Sequence, residues 1–164
     1  MIHTDKAENA DLIAVLNELV ETCKDGEKGF RTAALAVSNS ELATLFLNYS
    51  EQRAGFADEL QAEVRRLGGD AEEAGTAMGT LHRGWIGLKA AVEGKDEGGI
   101  IAEAERGEDH AVKQYREALE KDLPIPVRTI VEHHYIHVRD AHDHVRAMER
   151  LIQGKVAEPR GEPA

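Results

Sequence analysis

The sequence predicts an all-α protein, a four-helix bundle built from two antiparallel hairpins. Three observations predict it. Apolar residues recur at steps of three and four along five segments, which is the periodicity of a helix with one buried face. Aromatic residues make up only 4% of the chain, whereas alanine, glutamate and leucine are abundant. The breaks between the four long segments are short twice and long once. The 164 residues fit one domain, predicted at residues 1–153, with a disordered tail at 154–164.

The first hairpin consists of two long helices. The first helix is predicted to begin near Asp5, and its apolar stripe comprises Leu12, Val15, Leu16, Leu19, Cys23, Phe30, Ala33, Ala34 and Val37. "SNSEL" interrupts the stripe, and Ser40 is the predicted N-cap of the second helix. The second stripe comprises Leu42, Leu45, Phe46, Tyr49, Phe56, Leu60, Val64 and Leu67. Gly68 and Gly69 are predicted to end this helix.

A long crossover and a second hairpin follow. After the small, acidic stretch "DAEEAGTAMGT", a short amphipathic helix is marked by Met78, Leu81, Trp85, Leu88 and Val92. The fourth helix is predicted from Lys95 to Lys121, and "DLPIPV" ends it because proline cannot continue a helix. The fifth is predicted from Pro126 to Gln153. Tight linkers make each pair antiparallel, and one long crossover between two hairpins is the ferritin-like arrangement.

Charged residues interrupt the apolar stripes near the middle of all four long helices, although soluble helices normally keep charge off the buried face. They are Glu27, Arg53, Glu105, Glu108 and His142. When each hairpin is reflected about its turn, Glu27 faces Arg53. In the other hairpin Glu105 and Glu108 face His142. The spacing therefore predicts a buried polar layer across the bundle.

Two interpretations of this layer are open, because a buried carboxylate is unfavourable unless it is paired or bound to metal. In one, the ligand set Glu27, Glu105, Glu108 and His142 holds iron or manganese, which carboxylate and imidazole ligands suit. In the other, the Arg53 guanidinium neutralises Glu27 or Glu108 as a salt-bridge partner in the core, and no metal is needed.

Several stretches resemble a bacterial family of ferritin-like four-helix-bundle proteins of unknown function. They are "LVETCKDGEKGFRTAA", "EQRAGFADELQAEVRRLGGD", "LHRGWIGLKAAV", "AERGEDHAVKQYREAL" and "AHDHVRAM". The resemblance covers nearly all of the chain before the tail. It implies the ferritin-like fold, within the broad superfamily of rubrerythrins and bacterioferritins, and it brings no established activity.

The resemblance also implies a di-iron ligand pattern, which this chain matches in part. Glu27 matches the first helix, and the doubled Glu105 and Glu108 are similar to rubrerythrins. The second helix should carry Glu-x-x-His, but the chain has "EQRA", with Arg53 inward. In the last helix His142 matches, while Arg139 replaces the expected glutamate. The implied di-metal centre is therefore incomplete.

Five of the eight histidines lie between Glu132 and Val145. His133 and His137 have the four-residue spacing that can hold zinc, nickel or copper on one helix face. The alternative, which the polar flanks of this helix favour, is that these histidines are mostly solvated. Cys23 lies on an apolar face and is expected to be a packed thiol.

The remaining bulk properties restrict partners and location. The formal net charge of −11 should repel nucleic acid and anionic membranes, so neither is an expected partner. The single cysteine excludes an intrachain disulfide and fits a reducing compartment. The N-terminal stretch "MIHTDKAENADL" lacks the apolar core of a signal peptide. A cytoplasmic protein is expected.

Three functions follow as hypotheses. The first is a non-catalytic binding or stress-related bundle with a salt-bridged polar core. The second is an iron- or manganese-dependent oxidoreductase acting on Fe(II) or peroxide through the four candidate ligands. The third is a helical interaction module that forms a homodimer through the crossover helix around Trp85.

Overall fold

The structure, a computed structural model, describes residues 2–71 and 83–157, with side chains described within 7–71 and 84–154. The elements are α1 (Ile2–Ala36), α2 (Ser40–Arg66), a 3-10 turn (Arg83–Trp85), α3 (Leu88–Glu93), α4 (Glu97–Leu119) and α5 (Ile125–Ala157). All regular structure in these two ranges is helical, which confirms the predicted all-α class. The last helix extends to Ala157, beyond its predicted end at Gln153 and into the predicted tail. Residues 158–164 lie outside the described residues.

The four long helices form a bundle of two hairpins. The most extensive packing joins α1 to α2 and α4 to α5, and α1 packing against α4 connects the hairpins. Residues 37–39 link the first pair and residues 120–124 the second, so each pair is antiparallel. No helix among those described is both long and apolar enough to span a membrane.

The N-cap of α2 is Asn39, so the prediction of Ser40 is wrong by one residue. The Asn39 side-chain oxygen accepts hydrogen bonds from the backbone N–H groups of Glu41 at 3.0 Å and Leu42 at 3.1 Å. An amide side chain at this position satisfies two N–H groups that have no partner inside the helix. The Glu97 carboxylate accepts from the backbone N–H groups of Ser38 and Asn39, at 2.9 and 3.2 Å. The start of α4 therefore holds the turn of the first hairpin.

The described part of the crossover is less regular than predicted. In place of one amphipathic helix there is a 3-10 turn followed by the short α3, and Met78 and Leu81 lie outside the described residues. Trp85 is only 2% exposed. A Cβ atom on Gly29 of α1 or Gly107 of α4 would overlap its indole ring, so these two glycines make the space for it. Trp85 is therefore a core residue, and dimerisation through the crossover helix around it stays a prediction.

The apolar core is divided into two clusters along the bundle axis. The first draws on residues 12–23, 56–64, 71, 111–118 and 123–138. The second draws on residues 30–37, 42–46, 85–88, 100–104 and 145. On each long helix the gap between the clusters falls where a charged or polar residue interrupts the apolar stripe of the sequence. The buried polar side chains Arg53 and Glu108 lie in this gap.

Candidate functional site

The centre of the polar layer is a two-pronged ion pair between α2 and α4. The Arg53 Nη1 and Nη2 atoms lie 2.6 Å from Oε1 and Oε2 of Glu108, respectively. The side chains are 1% and 0% exposed. Burial disfavours the guanidinium charge, but the charge of Glu108 and its hydrogen bonds outweigh burial and raise the pKa of Arg53. The pair is therefore ionised and sealed from water.

Neighbouring residues make room for the arginine. A Cβ atom on Gly26 of α1 would lie only 3.3 Å from the Arg53 Cγ atom, so a glycine allows the helices to approach here. The Phe30 ring lies 5.5 Å from the guanidinium carbon, within the range of a cation–π contact. The Ser50 hydroxyl donates to the Glu27 backbone carbonyl at 2.8 Å and ties α2 to α1 beside the pair.

A second polar group takes one residue from each long helix. The Cys23 Sγ atom lies 3.0 Å from the Tyr115 hydroxyl, and that hydroxyl lies 3.0 Å from His134 Nδ1. His134 Nε2 lies 2.9 Å from a Glu59 carboxylate oxygen. The His134 ring stacks on Phe56 with centroids 3.9 Å apart. A continuous chain of hydrogen bonds thus leads from the core to the surface.

The pKa shifts determine which group donates in each hydrogen bond of this chain. Burial lowers the pKa of His134, and it raises the pKa of Cys23 to about 11 and that of Tyr115 well above its usual value. In a neutral His134, Nε2–H donates to the Glu59 carboxylate, which leaves Nδ1 as an acceptor. Tyr115 therefore donates to Nδ1, and the Cys23 thiol donates to the Tyr115 oxygen. Every member has a partner, and the thiol is protonated.

A third polar group lies at the edge of α4 and α5. His142 Nε2 is 2.5 Å from Asp109 Oδ1, and Nδ1 is 3.1 Å from Asp143 Oδ1. Glu105 lies one helical turn before Asp109. The Arg146 Nε atom is 3.6 Å from the Glu105 carboxylate. Burial disfavours the imidazolium, but hydrogen bonds to Asp143 and Asp109 and their charges raise the pKa of His142.

The structure brings together two of the four predicted metal ligands. Glu105 and His142 meet with Asp109, and their ligand atoms all lie within 4.8 Å of one another. Among the side chains described, in residues 7–71 and 84–154, this is the one group of three or more such residues at that spacing. Glu108 is instead held by Arg53, and Glu27 is half-buried on α1 outside this group.

The family described as "Domain of unknown function (DUF2383)" matches residues 11–121, which is more than half of the chain. The chain belongs to the DUF2383 family. The matched range contains both partners of the ion pair and Trp85, while His134 and His142 on α5 lie beyond it. No curated protein is matched by the sequence.

The residues of this DUF2383 protein do not fit the di-metal centre that the ferritin-like resemblance implies. Both oxygens of Glu108 are held by the Arg53 guanidinium. A divalent cation at the same place would meet a fixed positive charge in a buried, weakly screened environment. Glu51, the carboxylate of "EQRA", is exposed and cannot replace Glu108 as an inward ligand.

The histidines of α5 divide into two classes. His134 and His142 are buried, at 0% and 8% exposure. His133, His137 and His144 are exposed, so the solvated interpretation describes three of the five. The His133 and His137 rings are 4.7 Å apart, and the His144 Nδ1 atom lies 3.1 Å from the Tyr49 hydroxyl.

Three polar residues of the DUF2383 site have no place in the sequence-based ligand set. Asp109 and Glu59 are exposed residues on the flanks of their helices, and nothing in the spacing distinguishes them from other solvated acids. The buried Tyr115 appears in the sequence only as a member of an apolar stripe. The one available signal for Asp109 is its four-residue spacing from Glu105, which places both on one helix face.

Proposed function

We propose that this DUF2383 protein is a ferritin-like, non-catalytic binding protein of the bacterial cytoplasm, with an ion pair in place of a di-metal centre. The observation that carries the proposal is the fully buried bidentate pair of Arg53 and Glu108. An oxidase centre needs its central carboxylates free to bind metal and an open position for the oxidant. The Arg53 guanidinium binds both oxygens of Glu108, so neither oxygen is left to bind a metal ion.

The hydrogen-bond chain around Tyr115 supports the same proposal. Each buried polar atom of this chain of hydrogen bonds has a partner. The raised pKa of Cys23 keeps its thiol protonated and unreactive. A satisfied polar network of this kind makes one helix register more favourable than the alternatives. These side chains therefore specify the bundle, and binding is expected on its surface.

The test is an anaerobic Fe(II) titration of protein that has been treated with chelator, followed by exposure to air. We expect fewer than two irons per chain and no oxo-bridged ferric band in the near ultraviolet. A matched Glu108→Gln variant should give the same optical result. Two tightly bound irons with that band in the wild-type protein, both lost in Glu108→Gln, would establish the di-metal oxidoreductase and reject the proposal.

A groove between α1 and α4 favours a second candidate function, the binding of a cationic amphipathic segment of a partner protein. The groove has a volume of about 860 Å³. Leu12, Val15, Leu19 and Leu123 supply apolar lining. The lining contains one lysine and five acidic residues. The acidic residues are Glu8, Asp11, Glu18, Glu117 and Asp122. The acidic rim favours a basic partner and opposes a second copy of this acidic chain.

Fluorescence anisotropy with a labelled amphipathic peptide of leucine and lysine tests this function. We expect saturable binding that weakens in an Asp11→Lys, Asp122→Lys double variant. A double variant with the same charge change on exposed positions of α2, Glu51→Lys and Asp58→Lys, is the control. Equal weakening in both variants would show only a general effect of net charge and would reject the groove as the binding surface.

A further inference from the structure

The group at the edge of α4 and α5 has the donors of a metal site. Glu105 and Asp109 present carboxylate oxygens from successive turns of α4, and His142 presents Nε2 from α5. These atoms lie within 4.8 Å of one another, so small side-chain rotations would bring all three onto one ion with bonds of about 2.0–2.2 Å. The donors come from two helices that are already packed together.

The orientation of His142 is the second observation. Its Nδ1 atom lies 3.1 Å from the Asp143 carboxylate, which directs the Nε2 atom towards Asp109. Histidines that bind metal characteristically donate their other N–H group to a carboxylate, which fixes the tautomer and increases the basicity of the ligand nitrogen. Asp143 thus acts as a positioning residue for His142.

Charge and access are consistent with a divalent ion. A metal ion would displace the proton between His142 Nε2 and Asp109, and the two carboxylates and the neutral imidazole that remain carry a formal charge of −2, which a divalent ion neutralises. The His142 side chain is 11% exposed and that of Asp109 is 61% exposed, so the group is anchored in the bundle and open to solvent on one side. This arrangement differs from the central layer, where Arg53 already neutralises Glu108.

We propose that Glu105, Asp109 and His142 form a binding site for a single divalent transition-metal ion, such as Zn²⁺. A mixed set of two oxygens and one imidazole nitrogen suits ions of intermediate softness, and three protein ligands leave the fourth position for water. The site shares Glu105 and His142 with the incomplete di-metal pattern, but it includes Asp109 and excludes both Glu27 and Glu108.

Arg146 provides a specific signature of this site. Its Nε atom lies 3.6 Å from the Glu105 carboxylate, and its side chain is 51% exposed. The guanidinium competes with a metal ion for that carboxylate and repels the ion. Replacing Arg146 with alanine should therefore tighten Zn²⁺ binding, an effect opposite to that of changing a ligand.

The experiment is a Zn²⁺ titration of the full chain, after chelator treatment, in competition with a chromogenic chelator. We expect one Zn²⁺ per chain. Asp143 does not bind the ion but positions His142, so Asp143→Asn should weaken Zn²⁺ binding by roughly 10- to 100-fold. Asp109→Asn and His142→Gln each remove a ligand atom and should weaken Zn²⁺ binding by more than that. His133→Gln with His137→Gln is the control for the rival histidine pair and should leave the affinity unchanged.

Cobalt provides a readout that needs no variant. Co²⁺ bound to the wild-type protein should give the His142 ring protons the large contact shifts of a coordinated imidazole, whereas the His133 and His137 rings should show only the smaller through-space shifts of residues that do not bind the ion. Absence of stoichiometric binding, or binding lost only in the His133, His137 variant, would overturn the proposal. The proposed non-catalytic function is tested separately by iron oxidation, so one Zn²⁺ per chain with no ferric band supports both proposals, and either can fail alone.

Discussion

Arg53 is the residue on which the proposed non-catalytic function depends. The Arg53 guanidinium, at 1% exposure, is tolerated because it donates two short hydrogen bonds to the Glu108 carboxylate. The inward position of Arg53 follows from the sequence, because it lies on the stripe between Tyr49 and Phe56. Whether Arg53 pairs with Glu108 or with Glu27 depends on how the helices are oriented in the bundle, and residue spacing in the sequence does not determine that orientation.

Changing Arg53 to alanine should lower the free energy of unfolding by about 3–5 kcal/mol, because Glu108 would remain buried without a counter-charge. Urea denaturation followed by circular dichroism measures this. The control is a double variant, Arg53→Met with Glu108→Leu, which should lose less stability than either single change. An unchanged midpoint for Arg53→Ala would contradict a buried, ionised pair.

His134 makes stability depend on pH. Its pKa in the folded protein is lowered, by burial and by the charges of His133 and Arg53, against the opposing effect of Glu59. The unfolded chain, whose histidine has a pKa of about 6.5, therefore binds the proton first as the pH falls. The stability that neutral His134 contributes is fully present above this pH. It is lost as the pH falls towards the folded-state value, with a slope of up to about 1.4 kcal/mol per pH unit.

Comparison with His134→Gln isolates this contribution. The difference in unfolding free energy between the wild-type protein and the variant should be largest at neutral pH and should shrink towards pH ~5, since the variant lacks the titrating group. Urea unfolding at a series of pH values measures it. His137→Gln, on the exposed face of the same helix, serves as the control. A difference that is constant or grows in acid would contradict a neutral His134.

At the scale of elements, the crossover determines how the two hairpins meet. Trp85 lies between Gly29 of α1 and Gly107 of α4, with its ring edge-on to Phe30 at a centroid distance of 5.0 Å. The sequence places Trp85 on an apolar stripe but does not show which surface covers it. Two glycines within helices, each unfavourable for helix formation, are the signal that a large side chain approaches there.

Gly107→Ala should destabilise the protein by about 1–3 kcal/mol, because the new methyl group overlaps the indole, although alanine favours the helix itself. The fluorescence of the single tryptophan should shift to longer wavelength as Trp85 is displaced. Gly55→Ala is the matched control. Nothing lies within 4 Å of a Cβ atom at Gly55, so that change should stabilise α2 and leave the emission unchanged. Identical effects of the two changes would contradict the packing of Trp85 against Gly107.

At the scale of the whole molecule, periodicity and linker length were sufficient for the helical class and the paired hairpins. The mid-bundle polar layer also follows from sequence, since each stripe is broken near its centre. The contacts between Cys23, Tyr115, His134 and Glu59 do not follow, because they join one side chain from each of four helices. Such contacts depend on helix rotation and rotamers, and a shift of one residue would remove them.

The net charge of −11 should make the molecule more stable in salt. Raising the ionic strength from about 0.01 M to about 0.15 M shortens the screening length from roughly 30 Å to roughly 8 Å, which weakens repulsion across the compact state. We expect the melting temperature to rise in sodium chloride with a chelator present. Choline chloride at equal ionic strength should have the same effect. A rise with sodium alone would indicate specific ion binding instead of screening.

The buried position of Cys23 also makes the protein its own reporter of opening. The chain has one thiol, and it is 1% exposed at the inner end of the hydrogen-bond chain. A small thiol reagent can reach it only when the helices separate, so the labelling rate at high reagent concentration equals the rate of that separation. At low concentration it reports the equilibrium population of the open state. The stability variants can therefore be ranked by labelling kinetics in native buffer, without denaturant and without an engineered cysteine.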